Sequence, residues 1–415
     1  MRSSSVTVQG IAAEGLKALG RSFNHPLSLF GWSLILVWCA WWINNLIDGR
    51  MLFAEHTWFR HPAFGVDYLF TADGPMRTWV AGGDPYSNKH NNWPPIVIRL
   101  FIWADLTTPG RALRIWVCVA ALFAAIGAFA AVRTRRELDL WNLPFSVASA
   151  AILFSTPVLF ALERANYDLL IIPLIVGAAQ LMRSKRAIIA AEALAGLFLA
   201  VAIWAKLYPG LLILGVLALR RWRVAGWIAA FGALIGLSFG SQLLPFLENA
   251  RAAAAEQYDM ARAMPDLIVP WNHPLGLVWP GLWAGTPLAL LPGELGAALL
   301  LAPLLAWVSW RIYTCPGRRQ LALPYLFWVV ALGSFVPAIA NDYNLTPLLL
   351  AVLAIWNPRD RWGIHLALAA LVLWWQPIGF PISGRIVLFI KLAGLIGLAG
   401  SFLSRASELS FRKSR

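Results

Sequence analysis

The ionisable side chains of this sequence gather in a few short segments between long apolar runs. A carboxylate, Asp67, follows the first apolar run, and the cations Arg77, Arg164 and Lys206 follow at intervals along the chain. A carboxylate can take a proton from a hydroxyl group, and Arg or Lys can bind a phosphate anion. These residue types predict acid–base chemistry beside an anion site, with Asp67 as the general base and the three cations as phosphate partners.

Other polar residues in the same segments could contact a hydroxyl-rich ligand such as a sugar. Taken one at a time, each has a structural explanation, for example a helix cap, a turn residue or an interfacial ring. Their collection in a few turns favours a site. We expect contacts with a sugar or an acceptor from Asp84, Tyr86, Asn166, Asp168, Tyr208, His273 and Tyr343.

The composition indicates that the elements carrying these residues lie in a membrane. The chain has 415 residues, of which 59% are hydrophobic and 13% charged, and its mean hydropathy is +0.65. Soluble domains are roughly half apolar and about a quarter charged. The net charge of +14 lies in short clusters between apolar runs, so it indicates membrane orientation and not a nucleic-acid partner. The three cysteines show no metal-ligand spacing, and we expect no metal site.

Basic clusters predict the topology, because cytoplasmic loops are enriched in Lys and Arg. All the clusters can be cytoplasmic together if the chain crosses the membrane twelve times, with both termini inside. The fold class is then an all-α polytopic membrane protein. The predicted spans are 30–46, 112–132, 143–162, 167–182, 187–205, 207–219, 224–246, 295–313, 321–340, 345–356, 362–380 and 386–403.

This topology divides the chain into a cytoplasmic segment at 1–27, a transmembrane domain at 28–404 and a basic cytoplasmic tail at 405–415. The two long external loops are about 48–110 and 248–294, and an interfacial helix is predicted at 96–106. All the candidate residues fall on the external side, although only basic clusters were used to assign it. Lys206 has no acidic neighbour in the sequence, and a cation at a membrane edge is costly without a partner.

Six short segments of the sequence share a pattern with a known protein family. The four in the first half are Val66-Asp67-Tyr68 with Gly83-Asp84-Pro85-Tyr86, Asn92-Trp93-Pro94-Pro95, Glu163 to Asp168, and Ala205 to Pro209. The other two, 272–275 and 342–345, lie in the second half of the chain and show a weaker likeness. With these segments the sequence resembles the GT-C superfamily of polyprenyl-phosphate-sugar-dependent glycosyltransferases, and in particular the family 87 type, which includes bacterial mannosyltransferases.

The resemblance implies a GT-C fold with a catalytic carboxylate in the first external loop, where Asp67 is the matching position. It also implies transfer of a hexose from a polyprenyl-phosphate donor to a lipid or glycan acceptor, with inversion of the anomeric centre. Mannose is the first candidate for the hexose. A bacterial inner membrane would hold the protein, with the active site facing the periplasm or exterior. Such a reaction needs no nucleotide, so we expect no cofactor. Glu163 and Arg164 depart from the commoner Gly-Gln form of that family.

Three alternatives remain open at the level of sequence. A transporter or flippase of a lipid-linked sugar would also be polytopic, but transporters place ionisable groups near the membrane midplane and show repeated halves. Here Glu192 is the carboxylate well inside a predicted span, and no matched halves are found. A membrane scaffold explains the helices but not the polar set on one side. A related enzyme could use a diphosphate donor.

Overall fold

A computed structural model of the chain describes nine stretches of residues. The predictions for His273, for the span at 362–380 and for most of the N-terminal segment lie outside them, as does the side chain of Tyr343. The described residues are 26–48, 66–88, 91–140, 143–183, 188–263, 275–283, 285–337, 342–357 and 384–414.

Helices and turns, with no strand, make up the described residues, which confirms the all-α class. In the first half, a π-helical turn, Leu69–Asp73, connects the helical residues Val66–Tyr68 to α2. Irregular helical turns of this kind occur frequently at functional sites. The helices are α1 (Pro26–Asp48), α2 (Gly74–Val80), α3 (Pro95–Leu100), α4 (Pro109–Glu137), α5 (Phe145–Leu153), α6 (Thr156–Glu163), α7 (Ile171–Arg183) and α8 (Ile189–Ala205).

The second half continues with helices that are joined by short 3₁₀ turns. These helices are α9 (Leu212–Ala218), α10 (Trp222–Ser238), α11 (Leu243–Ala263), α12 (Leu275–Leu282), α13 (Gly293–Thr314), α14 (Ala322–Ser334), α15 (Thr346–Ile355) and α16 (Gly384–Ser414). The 3₁₀ turns in the described residues are Ile102–Leu106, Tyr167–Leu170, Tyr208–Leu211, Gly240–Gln242, Pro287–Leu290 and Asp342–Leu345.

Three helices in the described residues are long and apolar enough to cross a membrane: α4, α13 and the part of α16 at Leu388–Phe411. The number rises to five if each of two bent pairs counts as one span. The pair α5 and α6 bends by 58°, and the chain bends by 92° after α10. The predicted span 224–246 is therefore not one straight helix. Gly240 lies at this bend with a φ of +56°, a conformation that favours glycine. The count of twelve spans stays a prediction.

The core of the bundle lies around α14 and α15, whose residues are buried along their whole length. Trp328 of α14 is fully buried, and its ring nitrogen donates to the carbonyl of Leu395 in α16 at 3.1 Å. The outer surface is also apolar, and Leu237 is 77% exposed. An apolar exterior around an apolar core is the arrangement that lipid requires of a membrane protein.

The helix ends of the bundle form two chemically different groups. Among the described candidate residues, Asn166 and Asp168 lie in the turn that precedes α7, and Lys206 and Tyr208 lie in the turn between α8 and α9. Asp67 and Arg77 lie earlier in the chain, in the helical residues Val66–Tyr68 and in α2. Basic residues lie at the opposite ends of the same helices: Arg183 at the end of α7 pairs with Glu137 of α4. Glu192 lies in the first turn of α8, paired with Arg221, so it is at a helix end and not deep inside a span as predicted.

Candidate active site

The turn after α6 presents Arg164 and Asn166 on one side of the bundle. Helix α6 ends because Ala165 adopts a left-handed conformation with a φ of 50°, and the backbone N–H of Asn166 then donates to the carbonyl of Ala161 at 2.7 Å. A left-handed residue satisfies the last carbonyls of a helix in this way, although an alanine there costs about 1 kcal/mol. The indole N–H of Trp116 in α4 donates to the carbonyl of Ala165 at 3.0 Å, which fixes the turn.

The structure brings Asp67 into direct contact with this turn. Arg164 donates from Nε to Oδ2 of Asp67 at 3.0 Å and from Nη2 to Oδ1 at 2.5 Å. The side-chain amide of Asn166 donates to the same Oδ2 at 2.7 Å. A forked pair of charge-assisted hydrogen bonds fixes both position and orientation of the carboxylate. The Asp67 side chain keeps 12% of its surface exposed, so a substrate can still reach it.

A second ion pair lies beside the first. Nζ of Lys206 lies 3.3 Å from Oδ2 of Asp168 and 4.3 Å from the centre of the Tyr167 ring. The hydroxyl of Tyr208 donates to the other oxygen of Asp168 at 3.2 Å. Asn166 connects the two pairs, because its side-chain oxygen accepts from the backbone N–H of Asp168 at 3.1 Å. The two carboxylates and two cations therefore form one connected group. We call it the ion-pair cluster, and its members are Asp67, Arg164, Asp168 and Lys206.

Lys206 reaches this cluster because α8 ends immediately before it. The sequence Tyr208-Pro209 disfavours a continuing helix, since the residue before a proline is pushed out of the α region. The side chain is 18% exposed and Asp168 is 2% exposed. Sequence reasoning left Lys206 without an acidic neighbour; the fold supplies Asp168 from another turn. Asn344, in the 3₁₀ turn before α15, donates from its side-chain amide to the Tyr208 hydroxyl at 3.5 Å and completes this side of the cluster.

Arg77 lies elsewhere in the first predicted loop, in a network of its own. Its Nε donates to Asp73 at 3.0 Å and its Nη1 to Asp105 at 3.2 Å, while Nη2 donates to the carbonyls of Ala104 and Thr107. The hydrogen bond that Arg77 donates to Asp73 raises the pKa of Arg77 above its usual range. These contacts hold α2 against the turn at Ile102–Leu106, and they do not include the residues of the ion-pair cluster.

Asp84 and Tyr86 shape the loop that follows α2. The carboxylate of Asp84 accepts the backbone N–H of Tyr86 at 2.9 Å, and the hydroxyl of Tyr86 donates to the carbonyl of Trp93 at 2.7 Å. Burial raises the pKa of the Tyr86 hydroxyl, which therefore stays neutral. The Trp93 ring packs on Tyr167 with 4.0 Å between ring centres. The loop reaches the ion-pair cluster through this aromatic contact.

Asn249 in α11 is a structural residue of this region that sequence reasoning missed. Its side-chain amide donates to the carbonyls of Tyr86, Asn88 and Asn91 at 3.2, 3.1 and 3.0 Å. The side chain is buried, so these bonds join the loop after α2 to a helix much later in the chain. A single asparagine in an alanine-rich helix carries no sequence pattern that would reveal this contact.

The arrangement suits proton transfer beside a bound anion. A partly exposed carboxylate lies next to two cations, and aromatic rings form one wall of the cluster. Within the described part of the chain, no group of three or more His, Cys, Asp or Glu residues could hold a metal ion.

Comparison with known proteins indicates the class of chemistry. Residues 92–258 match the model of glycosyltransferase family 87. The match identifies a family of GT-C type, and it confirms the resemblance found in the sequence. Comparison with curated proteins gives no match.

The family 87 segment contains most of the ion-pair cluster, including Arg164, Asp168 and Lys206, whereas Asp67 lies before it. It indicates glycosyltransferase activity, and the apolar helices indicate a membrane protein. A glycosyltransferase requires a sugar donor and an acceptor, so these are the two ligands that the site must accommodate.

Proposed function

We propose that this protein is an integral membrane glycosyltransferase that transfers a hexose from a polyprenyl-phosphate donor to a lipid or glycan acceptor. Mannose is the first candidate for the hexose. The observation that supports it most is the contact of Asp67 with Arg164, beside the pair of Lys206 and Asp168. In this contact, a carboxylate that can accept a proton lies next to two cations of the types that can bind phosphate.

The proposed reaction is a single displacement with Asp67 as general base. The oxygen of the acceptor hydroxyl attacks the anomeric carbon of the donor sugar, and its proton passes to the Asp67 carboxylate. The bond between the anomeric carbon and the phosphate oxygen breaks, so that the polyprenyl phosphate leaves with the bonding electrons. Attack opposite the leaving group inverts the anomeric centre.

Arg164 and Lys206 are the proposed partners of the leaving phosphate. The planar, forked guanidinium of Arg164 can donate to two phosphate oxygens at once, and the ammonium of Lys206 acts as a second, compact charge. Both cations are held by carboxylates, at 2.5 Å and 3.3 Å, so an arriving phosphate would compete for their donors. Movement of Arg164 toward the phosphate would leave Asp67 to accept the proton of the hydroxyl. Arg77 is left out of this phosphate site because its donors are engaged elsewhere.

Sugar and acceptor contacts are assigned to the polar groups around the cluster. Asn166 and Tyr208 border it directly, and Trp93 with Tyr167 provides aromatic walls. Asp84 is exposed in the loop after α2 and could bind the acceptor. From the sequence alone, His273 and Tyr343 are further candidates.

The proposed location is the bacterial inner membrane, with the site on the external face and both termini cytoplasmic. Its support is the distribution of charge between the two ends of the helices. Basic residues such as Arg183 and Arg221 lie at the ends opposite the ion-pair cluster, and positive charge marks the cytoplasmic side.

The test is transfer of a labelled hexose by the purified chain from a polyprenyl monophosphate donor. Asp67→Asn should lower the initial rate about 10²- to 10⁴-fold, which is the usual contribution of a general base. Asp73→Asn is the matched control, because it also removes a carboxylate paired with an arginine, in the same region of the chain. It should lower thermal stability but leave the rate within a small factor.

Near wild-type transfer by Asp67→Asn would remove that residue from the role. Two further outcomes separate the alternative functions. Movement of a labelled lipid-linked sugar across a vesicle without transfer would favour a transporter, and the bent helix pairs make that assay worthwhile. Transfer from a polyprenyl diphosphate donor but not from a monophosphate donor would favour the related enzyme that uses a diphosphate donor.

A further inference from the structure

A group of arginines lies at the helix ends opposite the ion-pair cluster. They come from two turns, one between α9 and α10 and one between α13 and α14. The guanidinium of Arg220 lies 4.1 Å from the ring centre of Tyr313, at the end of α13, so the first turn contacts the helix that leads into the second. We call this group the arginine cluster, and its members are Arg220, Arg221, Arg318 and Arg319.

The positive charge of the arginine cluster exceeds the negative charge around it. Glu192 lies 3.9 Å from Arg221, and it is shared with Arg223 at 3.8 Å. Within the described ranges, the other three members have no carboxylate at ion-pair distance. Arg318 instead donates from Nη1 to the backbone carbonyl of Cys315 at 3.1 Å.

This crowding has an electrostatic cost. Burial and the charges of Arg220 and Arg319 lower the pKa of Arg318, and burial together with the charge of Arg319 lowers the pKa of Arg221. Like charges held together in a partly buried place disfavour the charged form. An anion between them would offset both the repulsion and the lost hydration.

Exposed aromatic rings surround the arginine cluster. Trp222, next to Arg221, is 59% exposed, and Trp310 is 63% exposed and stacks on Tyr313 with 6.1 Å between ring centres. Tryptophan and tyrosine are enriched at the boundary between lipid and water, where headgroups lie. Aromatic rings of this kind beside the arginines are what a site at the depth of a phosphate headgroup would require.

We propose that the arginine cluster binds the phosphodiester headgroup of an anionic phospholipid from the surrounding leaflet. Guanidinium groups match phosphate oxygens in pairs, and basic pockets between membrane helices bind lipid headgroups in this manner. The aromatic rings pack beside the glycerol and upper acyl chains. This site lies at the far end of the helices from the proposed sugar-transfer chemistry and does not depend on it.

The test is native mass spectrometry of the full chain in detergent, titrated with phosphatidylglycerol or phosphatidylcholine. Wild-type protein should bind phosphatidylglycerol more tightly. The double variant Arg318→Gln/Arg319→Gln should weaken that binding about 30-fold, since each basic residue near a membrane surface contributes roughly fivefold. Arg133→Gln/Arg136→Gln removes the same charge from the end of α4 and is the matched control, for which no change is expected.

Equal weakening by the two double variants would overturn the proposal, because overall charge would then explain the binding. Equal affinity of the wild type for the two lipids would overturn it as well. Displacement of phosphatidylglycerol by millimolar glycerol phosphate would indicate a site for a soluble anion. Arg319→Gln alone, at an exposed position, keeps the test usable if the double variant does not fold, and it should still weaken binding about fivefold.

Discussion

Arg164 donates two hydrogen bonds to Asp67 across 97 positions of the sequence, at 3.0 Å to Oδ2 and 2.5 Å to Oδ1. The backbone N–H of Asp67 also donates to the carbonyl of Arg164 at 3.1 Å. Three bonds therefore join the helical turn before α2 to the turn after α6. The carboxylate proposed as the base and a cation proposed for the phosphate are therefore in direct contact before a substrate binds.

Arg164→Lys should keep the positive charge but lose the fork that orients Asp67. Loss of one charge-assisted hydrogen bond costs about 1.5–3 kcal/mol, so we expect kcat/KM to fall about 10- to 100-fold. Steady-state kinetics with a polyprenyl-phosphate donor measures this. Unchanged kinetics would show that charge alone suffices at this position.

The control for that variant is Arg77→Lys. Arg77 makes four hydrogen bonds within its own network, so the same substitution should lower the melting temperature and leave the KM of the donor unchanged. An increase of the donor KM in Arg77→Lys would instead return this residue to the phosphate site.

Lys206→Met removes the ammonium and leaves Asp168 buried without its cation. Breaking a buried ion pair from one side is strongly destabilising, on the order of 3 kcal/mol. The variant should therefore unfold at lower temperature, and its KM for the donor should rise more than that for the acceptor. Equal increases of both KM values would argue against a phosphate role.

The double variant Lys206→Met/Asp168→Asn separates folding from binding. It removes both charges together, and replacing both partners of a buried pair costs much less than removing one. Much of the lost stability should return, measured by thermal unfolding in the same detergent, whereas the weak donor binding should remain. Recovery of donor binding along with stability would mean that Lys206 acts only as a structural partner.

Gly333→Ala tests whether the position of the Tyr208 turn matters for the site. A Cβ on Gly333 would overlap with the carbonyl oxygen of Tyr208, so α14 and this turn must move apart. Overpacking of this kind costs about 1–3 kcal/mol. We expect lower stability and a raised donor KM, because Lys206 precedes the displaced turn.

Gly210→Ala is the matched control in the turn itself. No atom lies within 4 Å of the Cβ that it would add. Its stability and kinetics should remain close to wild type. A loss of activity in Gly210→Ala equal to that in Gly333→Ala would show that the turn tolerates no side chain, and that the contact with α14 is not the cause.

The local chemistry of the site could be predicted from the sequence because residue type and turn signals are local properties. Pro209 predicts the end of a helix next to Lys206, and the Asn-containing segment after α6 predicts a turn. Both signals can be recognised in the sequence. The partners could not be predicted in the same way. The separation of Arg77 from the cluster, and the pairing of Lys206 with Asp168, depend on how helices pack.

The sequence by itself determined that the protein is helical and apolar on its surface, and which short segments carry ionisable groups. Those properties follow from the composition and from the spacing of apolar runs, because a helix in lipid needs a long run of apolar residues. Only the tertiary structure decided that Asp67 meets Arg164, that Asn249 fastens the loop at Tyr86, and that the chain bends after α10. These contacts join residues far apart in the chain, and the packing of intervening helices sets their distances.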